Sequence, residues 1–481
     1  MVGIDTLEQM SRNGLRPKEN NMNVQRISLA RRGLGVLLIC GALVATADAD
    51  RVYLITDLGT LTDRNSGGSM INEMEQVVGG SAISGGYWEL PDGTAYAEAW
   101  VPHAFVWTDG VMTDLGTIEP DPAPGVFPRP GAMGVDINNL GQAVGIYDAM
   151  SGWPWAFIWL PEPAYGLPAG MSMLPRLAES QELARAFSIN DSGQIVGESR
   201  PENSVGVRAV RWDCVDGEWQ VTDLGSLDGN PEATARAYDI NALGQIVGQS
   251  NNLPVHNQLE PFLYLPEPAY GLPAGMNAIA TFIPSGEGVA INDLGQIAGQ
   301  TGPMYPWLWL PEPAYGLPAG QNILPEFPIE GELITAVTDI NNRGQIVGWV
   351  RYEDPIDGME VRGWLWENGE YTLLDDVIPA ASPWRKVMRA YGINDAGQIT
   401  GEIRGPFEYQ DLTMSHAMIL TPVLLGDVDG DHDVDLSDLA VLLGNYGMTG
   451  AEYSDGDLDG DGVIGLNDLA AMLGAFGSTD G

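Results

Sequence analysis

Two acidic segments near the C-terminus carry side chains suited to holding a metal ion. "GDVDGDHDVDLSDLAVLLGNYG" begins at Gly426, and "GDLDGDGVIGLNDLAAMLGAFG" repeats its pattern from Gly456. In each twelve-residue loop, carboxylates recur at positions 1, 3, 5 and 12, which is the spacing of oxygen ligands that a hard cation such as Ca²⁺ needs. The two segments therefore predict two calcium ions bound in the tail.

The predicted ligands include a main-chain carbonyl at position 7 of each loop. They are Asp427, Asp429, Asp431, the carbonyl of Asp433, Asp435 and Asp438 in the first loop, and Asp457, Asp459, Asp461, the carbonyl of Val463 and Asp468 in the second. His432 stands where the loop normally has Gly, and Gly465 offers no side chain at position 9, so we expect the two sites to differ in strength.

Concentrated carboxylates repel one another, so calcium binding and folding of residues 426–481 are expected to be coupled. The alternative is a disordered acidic tail. An apolar segment of helical type follows each loop, and this argues against disorder.

The duplicated loops resemble the type I dockerin domain, in which position 12 is Asp rather than the Glu of ordinary EF-hands. The resemblance implies docking to a cohesin-like partner, commonly in extracellular polysaccharide-degrading assemblies. It also implies partner-reading residues just before position 12, namely Leu436, Ser437, Leu466 and Asn467. Attachment to the protein itself or to a cell-surface layer is the alternative use of such a segment.

The region before the tail contains one signature seven times: Ile, Asn, two variable residues, Gly, Gln, two further residues of which the first is Val, Ala or Ile, and Gly. The copy at Ile71 is the most divergent and has Glu75 in place of the first Gly. The copies begin at Ile71, Ile137, Ile189, Ile240, Ile291, Ile340 and Ile393, with a period of about 50 residues after the first. Each copy predicts a hairpin whose turn uses Asn and Gly, as at Asn138 and Gly141. These asparagines are accordingly interpreted as turn residues rather than ligands.

An aromatic strand follows each hairpin, and a fourth strand follows every aromatic strand except the last. A candidate for the missing strand, "YLITDLGTL" from Tyr53, precedes the first hairpin. Residues 48–422 are thus predicted to form an all-β, seven-bladed β-propeller closed by the N-terminal strand, followed by a small α-helical calcium-binding domain at 426–481. A β-solenoid is the alternative, but its coils would be shorter and would not need complementary ends.

The segments "HAFVWTDGVMTDLGT" from His103 and "INNLGQAVG" from Ile137 resemble the HAF family of extracellular repeats. Only the first unit keeps the full signature. The resemblance implies a secreted repeat domain of largely unassigned function.

Aromatic and acidic side chains recur in the repeats and could bind sugars or act in catalysis, but packing and turn formation explain them more simply. The recurring aromatic residues are expected to fill the space between blades rather than to stack on sugars. Asp57, Asp114 and Asp223 of the "TDLG" segments are expected at turns or edges.

The stretch "LPEPAYGLPAG" occurs at Leu160, Leu265 and Leu310, and its prolines predict a stiff loop between the third and fourth strands. A polysaccharide or protein ligand is expected on the opposite face, which carries the more variable loops.

The N-terminal 47 residues have the pattern of a signal peptide. Arg26, Arg31 and Arg32 precede "GLGVLLICGALVATA", which is too short to span a bilayer and ends in small residues, and Met22 offers an alternative start. The product is therefore expected to be secreted, without a transmembrane anchor, in solution or attached to the cell surface.

Charge and cysteine content restrict the partners. Without residues 1–47, 16 basic residues face 62 acidic ones, a net charge of −46. This surface excludes nucleic acid and anionic membranes as partners and attracts divalent cations. Only Cys214 remains, so no internal disulfide is expected.

The sequence contains no G-x-S-x-G elbow, no H-E-x-x-H pair and no phosphate-binding Gly loop, and no catalytic residue is predicted. We favour a secreted, non-catalytic binding or scaffolding protein, whose propeller presents a recognition face and whose tail docks through calcium. The alternative is a carbohydrate-active enzyme, a glycoside hydrolase or lyase of a polysaccharide-degrading assembly, because Asp and Glu are abundant enough to supply a carboxylate pair.

Overall fold

The computed structural model describes residues 51–62, 64–84, 87–89, 95–97, 101–118, 131–148, 153–178, 183–202, 204, 206–230, 232–252, 256–279, 286–302, 305–329, 333–354, 358–379, 382, 384, 386–405 and 414–479. The predicted signal peptide at 1–47 lies outside these residues.

The described residues are dominated by strands. In chain order these are β1 (Arg51–Gly59), β2 (Ser66–Ile71), β3 (Val77–Ser84), β4 (Tyr87–Glu89), β5 (Ala95–Ala97), β6 (Val101–Thr108), β7 (Val111–Asp114), β8 (Gly131–Ile137), β9 (Ala143–Asp148), β10 (Pro154–Leu160), β11 (Gly170–Met173), β12 (Ala184–Ile189), β13 (Ile195–Ser199), β14 (Arg208–Val215), β15 (Glu218–Asp223), β16 (Ala235–Ile240), β17 (Ile246–Asn252), β18 (His256–Leu265), β19 (Gly275–Ala278), β20 (Glu287–Ile291), β21 (Ile297–Thr301), β22 (Tyr305–Leu310), β23 (Gly320–Ile323), β24 (Leu333–Ile340), β25 (Ile346–Asp354), β26 (Gly358–Glu367), β27 (Glu370–Leu373), β28 (Lys386–Ile393), β29 (Ile399–Arg404) and β30 (Ser415–Leu424).

Two helices follow the strands, α1 (Leu436–Gly444) and α2 (Leu466–Ala475), and short 3-10 turns occur at Leu374–Val377 and Tyr453–Asp455. Neither α1 nor α2, the two α-helices among the described residues, has the length and hydropathy needed to cross a membrane.

Seven antiparallel four-stranded sheets form the blades of a β-propeller, which confirms the predicted all-β fold and blade number. Their strand orders are β2-β3-β6-β7, β8-β9-β10-β11, β12-β13-β14-β15, β16-β17-β18-β19, β20-β21-β22-β23, β24-β25-β26-β27 and β28-β29-β30-β1. In the seventh sheet, β1 pairs with β30 from Arg51 opposite Leu424 to Gly59 opposite Ala417. The outer strand of the last sheet thus comes from the first described residues. Strands β4 and β5 form a separate small ladder.

The asparagine of each repeat organises its hairpin and the joint to the next blade. Asn138 Oδ1 accepts hydrogen bonds from the main-chain N–H groups of Leu140 and Gln142, and its Nδ2 donates to Gln142 Oε1 and to the carbonyl of Asn190. All seven asparagines donate to the carbonyl of the next one, and Asn394 donates to Asn72 at 3.2 Å. This ring accounts for the recurring Asn, which acts in turn geometry as expected.

The last Gly of the signature is required by a close approach of two strands. A Cβ on Gly145 would lie 2.1 Å from the carbonyl oxygen of Met133 on β8 and 2.9 Å from the ring of Phe157 on β10. Phe157 and its equivalent Trp212 are fully buried. They fill the space between blades, as expected, and are not exposed for stacking on sugars.

The repeated stretch "LPEPAYGLPAG" connects β10 to β11, β18 to β19 and β22 to β23. The hydroxyl group of Tyr165 donates to Gln142 Oε1 of its own blade at 3.1 Å. The same hydroxyl lies 2.4 Å from where a Cβ on Gly193, in the next hairpin, would stand. Tyr270 and Tyr315 repeat this arrangement. The stretch is a structural loop, and its tyrosine joins adjacent blades.

The aspartates of the "TDLG" segments hold the third and fourth strands together. Asp114 accepts a hydrogen bond from Gly116 N and lies 3.0 Å from His103 Nδ1. Asp57 stands 2.9 Å from His416 Nδ1, and Asp223 accepts a hydrogen bond from Arg208 Nε at 3.0 Å. These contacts agree with the expected structural role of the aspartates.

Candidate functional site

The first acidic loop brings carboxylate oxygens together at the start of α1. Two groups have oxygens within 4.8 Å of one another: Asp427, Asp429 and Asp438, and Asp431, Asp433 and Asp438. Asp438 belongs to both groups and is fully buried. Asp435 lies in neither; it caps α1 by accepting a hydrogen bond from Ser437 N at 2.6 Å. Asp433, predicted to act through its carbonyl, also contributes its carboxylate here.

The second loop repeats the arrangement with fewer carboxylates. Oxygens of Asp457, Asp459 and Asp468 lie within 4.8 Å of one another. Asp461 is outside this group, and its Oδ1 accepts a hydrogen bond from Val463 N at 2.8 Å. Gly465 is the N-cap residue of α2 and has no side chain to offer. The second loop therefore presents fewer side-chain ligands than the first.

The aspartate at position 12 organises each loop. Asp438 Oδ1 accepts hydrogen bonds from Val428 N and Asp429 N, and its Oδ2 accepts from Asp435 N at 2.8 Å. Asp468 has the equivalent donors. Burial alone would raise the pKa of Asp468, but these N–H groups outweigh burial and hold the pKa below its usual range. The Asp468 carboxylate is thus kept ionised, which is the form that binds a cation.

The two loops are connected by short β-bridges that cross between the halves. Asp433 of the first loop pairs with Thr479 after α2, and Val463 of the second loop pairs with Thr449 after α1. A shared apolar core lies beneath them and includes Val434, Leu442, Ile464 and Met472. Each half therefore pairs with the loop of the other half, and the two duplicated segments share one apolar core.

The residues present fit a hard cation. Residues 426–481 contain no Lys or Arg, so the tail itself offers no basic side chain to compensate its carboxylates. Asp433 Oδ1 is buried and has no hydrogen-bond partner within the described residues, although Asp433 itself lies near the surface. An orphaned oxygen among converging carboxylates is what a divalent ion would satisfy.

The departure noted at His432 has a structural consequence. His432 has a φ of 72°, in the left-handed region, and the equivalent Gly462 has a φ of 77°. A side chain in this conformation is strained, whereas glycine is not. The first loop thus has more carboxylates but a strained backbone.

The residues assigned to partner docking lie on the surface of the tail. Leu436 is 70% exposed and Leu466 is 73% exposed, and Ser437 and Asn467 beside them are exposed as well. Further exposed apolar residues recur at equivalent places in the two halves: Leu443 and Leu473, and Tyr446 and Phe476. Each half of the tail therefore carries an exposed apolar surface at the equivalent position.

Sequence reasoning missed three aspartates at the axis of the propeller: Asp136, Asp239 and Asp339. Each directly precedes the repeat Ile, at the end of β8, β16 and β24. Asp136 accepts hydrogen bonds from Ile137 N at 2.8 Å and from Ile189 N of the next blade at 2.7 Å. The other two repeat these contacts. The available signal was the triplet "DIN", which occurs three times.

These axial carboxyl groups have altered acidity. Burial raises the pKa of Asp339 to about 8 and that of Asp136 to about 6, and the charge of Asp239 adds to both shifts. The pKa of Asp239 is also raised by burial, even though part of its surface faces a cavity. The protein keeps these groups from ionising as readily as they would in water.

A cavity of about 780 Å³ lies along the axis, on the side of the aspartates away from the asparagine ring. Its walls include Phe187, Tyr238 and Tyr391 from the innermost strands, together with Glu287 and Glu402. Its lining includes residues at the starts of first and third strands, such as Ser66, Glu287 and Ser415. The loops that lead into these strands belong to the face where we expected a ligand.

No family model and no curated protein matches the chain. Among solved structures, similarity is found to a fungal alcohol oxidase of the AA5 family in complex with copper, at 11% identity and a TM-score of 0.40, covering 83% of this chain and 82% of that one. A gluconolactonase from Xanthomonas campestris matches at 10% identity and a TM-score of 0.32, covering 59% and 82%. A mutant of AofleA from Arthrobotrys oligospora matches at 14% identity and a TM-score of 0.30, covering 60% and 88%. Similarity at this level carries no functional assignment.

Proposed function

We propose that this chain is a secreted, non-catalytic binding or scaffolding protein whose tail binds two calcium ions and docks to a partner, while the propeller presents a recognition surface. The convergence of carboxylate oxygens within 4.8 Å in both tail loops is the observation that supports this proposal most.

In the first loop, the ion would be held by oxygens drawn from Asp427, Asp429, Asp431, Asp433 and Asp438. In the second it would be held by Asp457, Asp459 and Asp468, with the Val463 carbonyl and Asp461 as further predicted ligands. Bound calcium would supply the positive charge that the tail lacks and fix each loop against its helix.

The exposed pairs Leu436 and Leu466, and Leu443 and Leu473, support docking through the tail, because apolar side chains exposed in a duplicated pattern mark interaction surfaces. The resemblance of the loops to type I dockerins makes a cohesin-like domain the expected partner. A cell-surface layer is the other candidate for the same surface.

We also infer that the pairing of β1 with β30 closes the ring of blades. This pairing covers the edge of β30 that would otherwise be open. The hydrogen bond from Asn394 to Asn72 supports the same conclusion at the inner edge.

The second candidate function is a carbohydrate-active enzyme, and the carboxyl groups around the axial cavity favour it over other enzyme classes. It ranks second because the oxygens of Asp136 and Asp339 already accept main-chain hydrogen bonds between blades.

A pull-down with an array of cohesin domains, performed with calcium and with a chelator, tests the docking proposal. We expect calcium-dependent capture that a Leu436→Asp, Leu466→Asp double variant abolishes. An assay for reducing-sugar release on a panel of polysaccharides tests the alternative, and clear turnover would favour the enzyme.

A further inference from the structure

We propose that the axial cavity of the propeller binds a small organic cation, a protonated amine or a quaternary ammonium, through the carboxylates of Asp239 and Glu287 and the aromatic ring of Tyr238. The inference rests on the proposed role of the propeller as a binding module. It does not depend on calcium binding by the tail.

The size of the cavity suits an organic molecule. Small-molecule sites in proteins commonly enclose about 300 to 1,000 Å³, and the volume here is about 780 Å³. Residues from all seven innermost strands line it, which gives a pre-formed site. A bare metal ion would leave most of this space to water.

The charge of the lining selects the sign of the ligand. Its acidic residues are Asp136, Asp239, Glu287, Asp339 and Glu402, and no Lys, Arg or His is among the residues described as lining it. Glu402 accepts a hydrogen bond from Arg389 at 2.9 Å. The other four make no salt bridge within the described part of the chain. A cation would provide the missing counter-charge, and an anion would be repelled.

Nearby arginines do not remove this excess of negative charge. Arg185 and Arg236 contact Glu198 at 2.6 Å and 2.8 Å, and Glu198 is only 1% exposed. Glu198 compensates one of these two positive charges, and Arg236 also acts on Tyr238. The remaining positive charge is outnumbered by the four lining carboxyl groups that make no salt bridge within the described residues. The cavity itself remains acidic.

Aromatic side chains next to the carboxylates point to an organic cation. The rings of Tyr238 and Phe187 lie 5.8 Å apart at an angle of 49°, and both residues line the cavity. Glu287 beside them is oriented by a hydrogen bond from Gln300 Nε2 at 2.8 Å. A ring face beside a carboxylate is an environment that binds ammonium groups.

The axial carboxylates are poorly arranged for a metal ion. Among the residues the structure describes, all groups of three or more carboxylates close enough to share an ion lie in the tail. Both oxygens of Asp239 already accept main-chain hydrogen bonds, from Ile240 N and Ile291 N. An ammonium group needs only the field of the carboxylates and one or two acceptors.

The acidity of the carboxyl groups agrees with a site for a cation. The negative charge of Asp239 raises the pKa values of Asp136 and Asp339, and the charge of Asp293 raises that of Asp239. Burial raises their pKa values, so they hold protons at a pH where exposed aspartates do not. A bound cation would stabilise the ionised forms and release protons, so affinity should rise with pH between about 6 and 8.

Calorimetric titration of the full chain in the presence of calcium tests this inference. The probes are choline and benzylammonium, each compared with its uncharged counterpart, 3,3-dimethyl-1-butanol and benzyl alcohol. We expect saturable binding of at least one cation, at least about tenfold tighter than its neutral counterpart, with proton release that depends on the buffer. Glu287→Gln should weaken binding about tenfold, and Asp239→Asn more, while Asp216→Asn at an exposed turn should not change it.

The inference is overturned if neither cation binds at millimolar concentration, or if the neutral counterparts or cellobiose bind as well as the cations. Glu287→Gln retains a hydrogen-bonding side chain and serves if Asp239→Asn fails to fold. Calcium titration of the same sample reports separately on the tail, so failure of one site is distinguishable from failure of the other.

Discussion

His432 and Gly462 occupy the same position in the two tail loops, and both have a positive φ. Replacing His432 with Gly removes strain of about 1 kcal/mol, because only glycine adopts this conformation freely. We expect His432→Gly to tighten calcium binding at the first loop by roughly fivefold. Calorimetric titration measures the change. The matched variant Gly462→His should weaken the second site by a similar factor, and an unchanged affinity in both variants would contradict the role assigned to the backbone.

Asp136 and Asp339 predict a dependence of propeller stability on pH. Their pKa values are raised in the folded protein, to about 6 and about 8, so the native state binds protons more tightly than the unfolded state. The contribution of these two groups to the free energy of unfolding should therefore be fully present below about pH 4 and should fall as pH rises, up to about 6 for Asp136 and about 8 for Asp339. Thermal unfolding across this range should show the decline.

Asp339→Asn tests the origin of that pH dependence. An amide cannot accept both main-chain hydrogen bonds, from Ile340 N and Ile393 N, so this variant should be less stable by about 1 to 3 kcal/mol near pH 5. Its stability should also change less between pH 5 and 8 than that of the parent protein. The exposed variant Asp216→Asn should keep the parent slope, and an equal slope in Asp339→Asn would refute the assignment.

At the scale of elements, the loop "LPEPAYGLPAG" acts through its tyrosine. Tyr165→Phe removes the hydrogen bond to Gln142 Oε1 and should lower the free energy of unfolding by about 1 kcal/mol. Tyr165→Ala should cost more, because the ring also covers Gly193 of the next blade. Tyr305→Phe is the control, since Tyr305 is 52% exposed. Denaturant unfolding measures the three variants, and equal losses for Tyr165→Phe and Tyr305→Phe would contradict a joint between blades.

Much of the architecture could be predicted because its elements repeat. The Asn and Gly of each hairpin determine a local turn, and seven copies at a regular period indicate blades. The contacts between blades could not be predicted this way. The hydrogen bond from Asp136 to Ile189 N, and the cover of Gly193 by Tyr165, join residues that only the ring brings together.

The same distinction applies to the candidate sites. The tail ligands lie within single twelve-residue loops, so their spacing in the sequence already indicated the chemistry. The axial cavity is built from all seven blades, and its charge depends on which carboxylates lack a basic neighbour. Glu287 and Tyr238 have no motif that would have marked them.

At the scale of the whole molecule, the pairing of β1 with β30 is expected to determine the cooperativity of the propeller. Removing residues 51–59 would expose the main-chain groups of β30 along the register from Ala417 to Leu424. We expect this deletion to lower the thermal unfolding temperature and to promote aggregation, compared with removal of residues 1–47 alone. Thermal unfolding monitored by circular dichroism and light scattering measures both effects. Identical unfolding of the two truncated proteins would contradict closure by β1.

Calcium binding by the tail is the central claim. Calorimetric titration of the calcium-free protein lacking residues 1–47 tests it most directly. The control is an Asp438→Asn, Asp468→Asn double variant, which retains the size of both side chains. The account predicts binding of two ions with unequal affinity, reversed by a chelator, accompanied by a gain of helical circular dichroism and lost in the variant. No heat of binding and no change in helix content in the parent protein would contradict it.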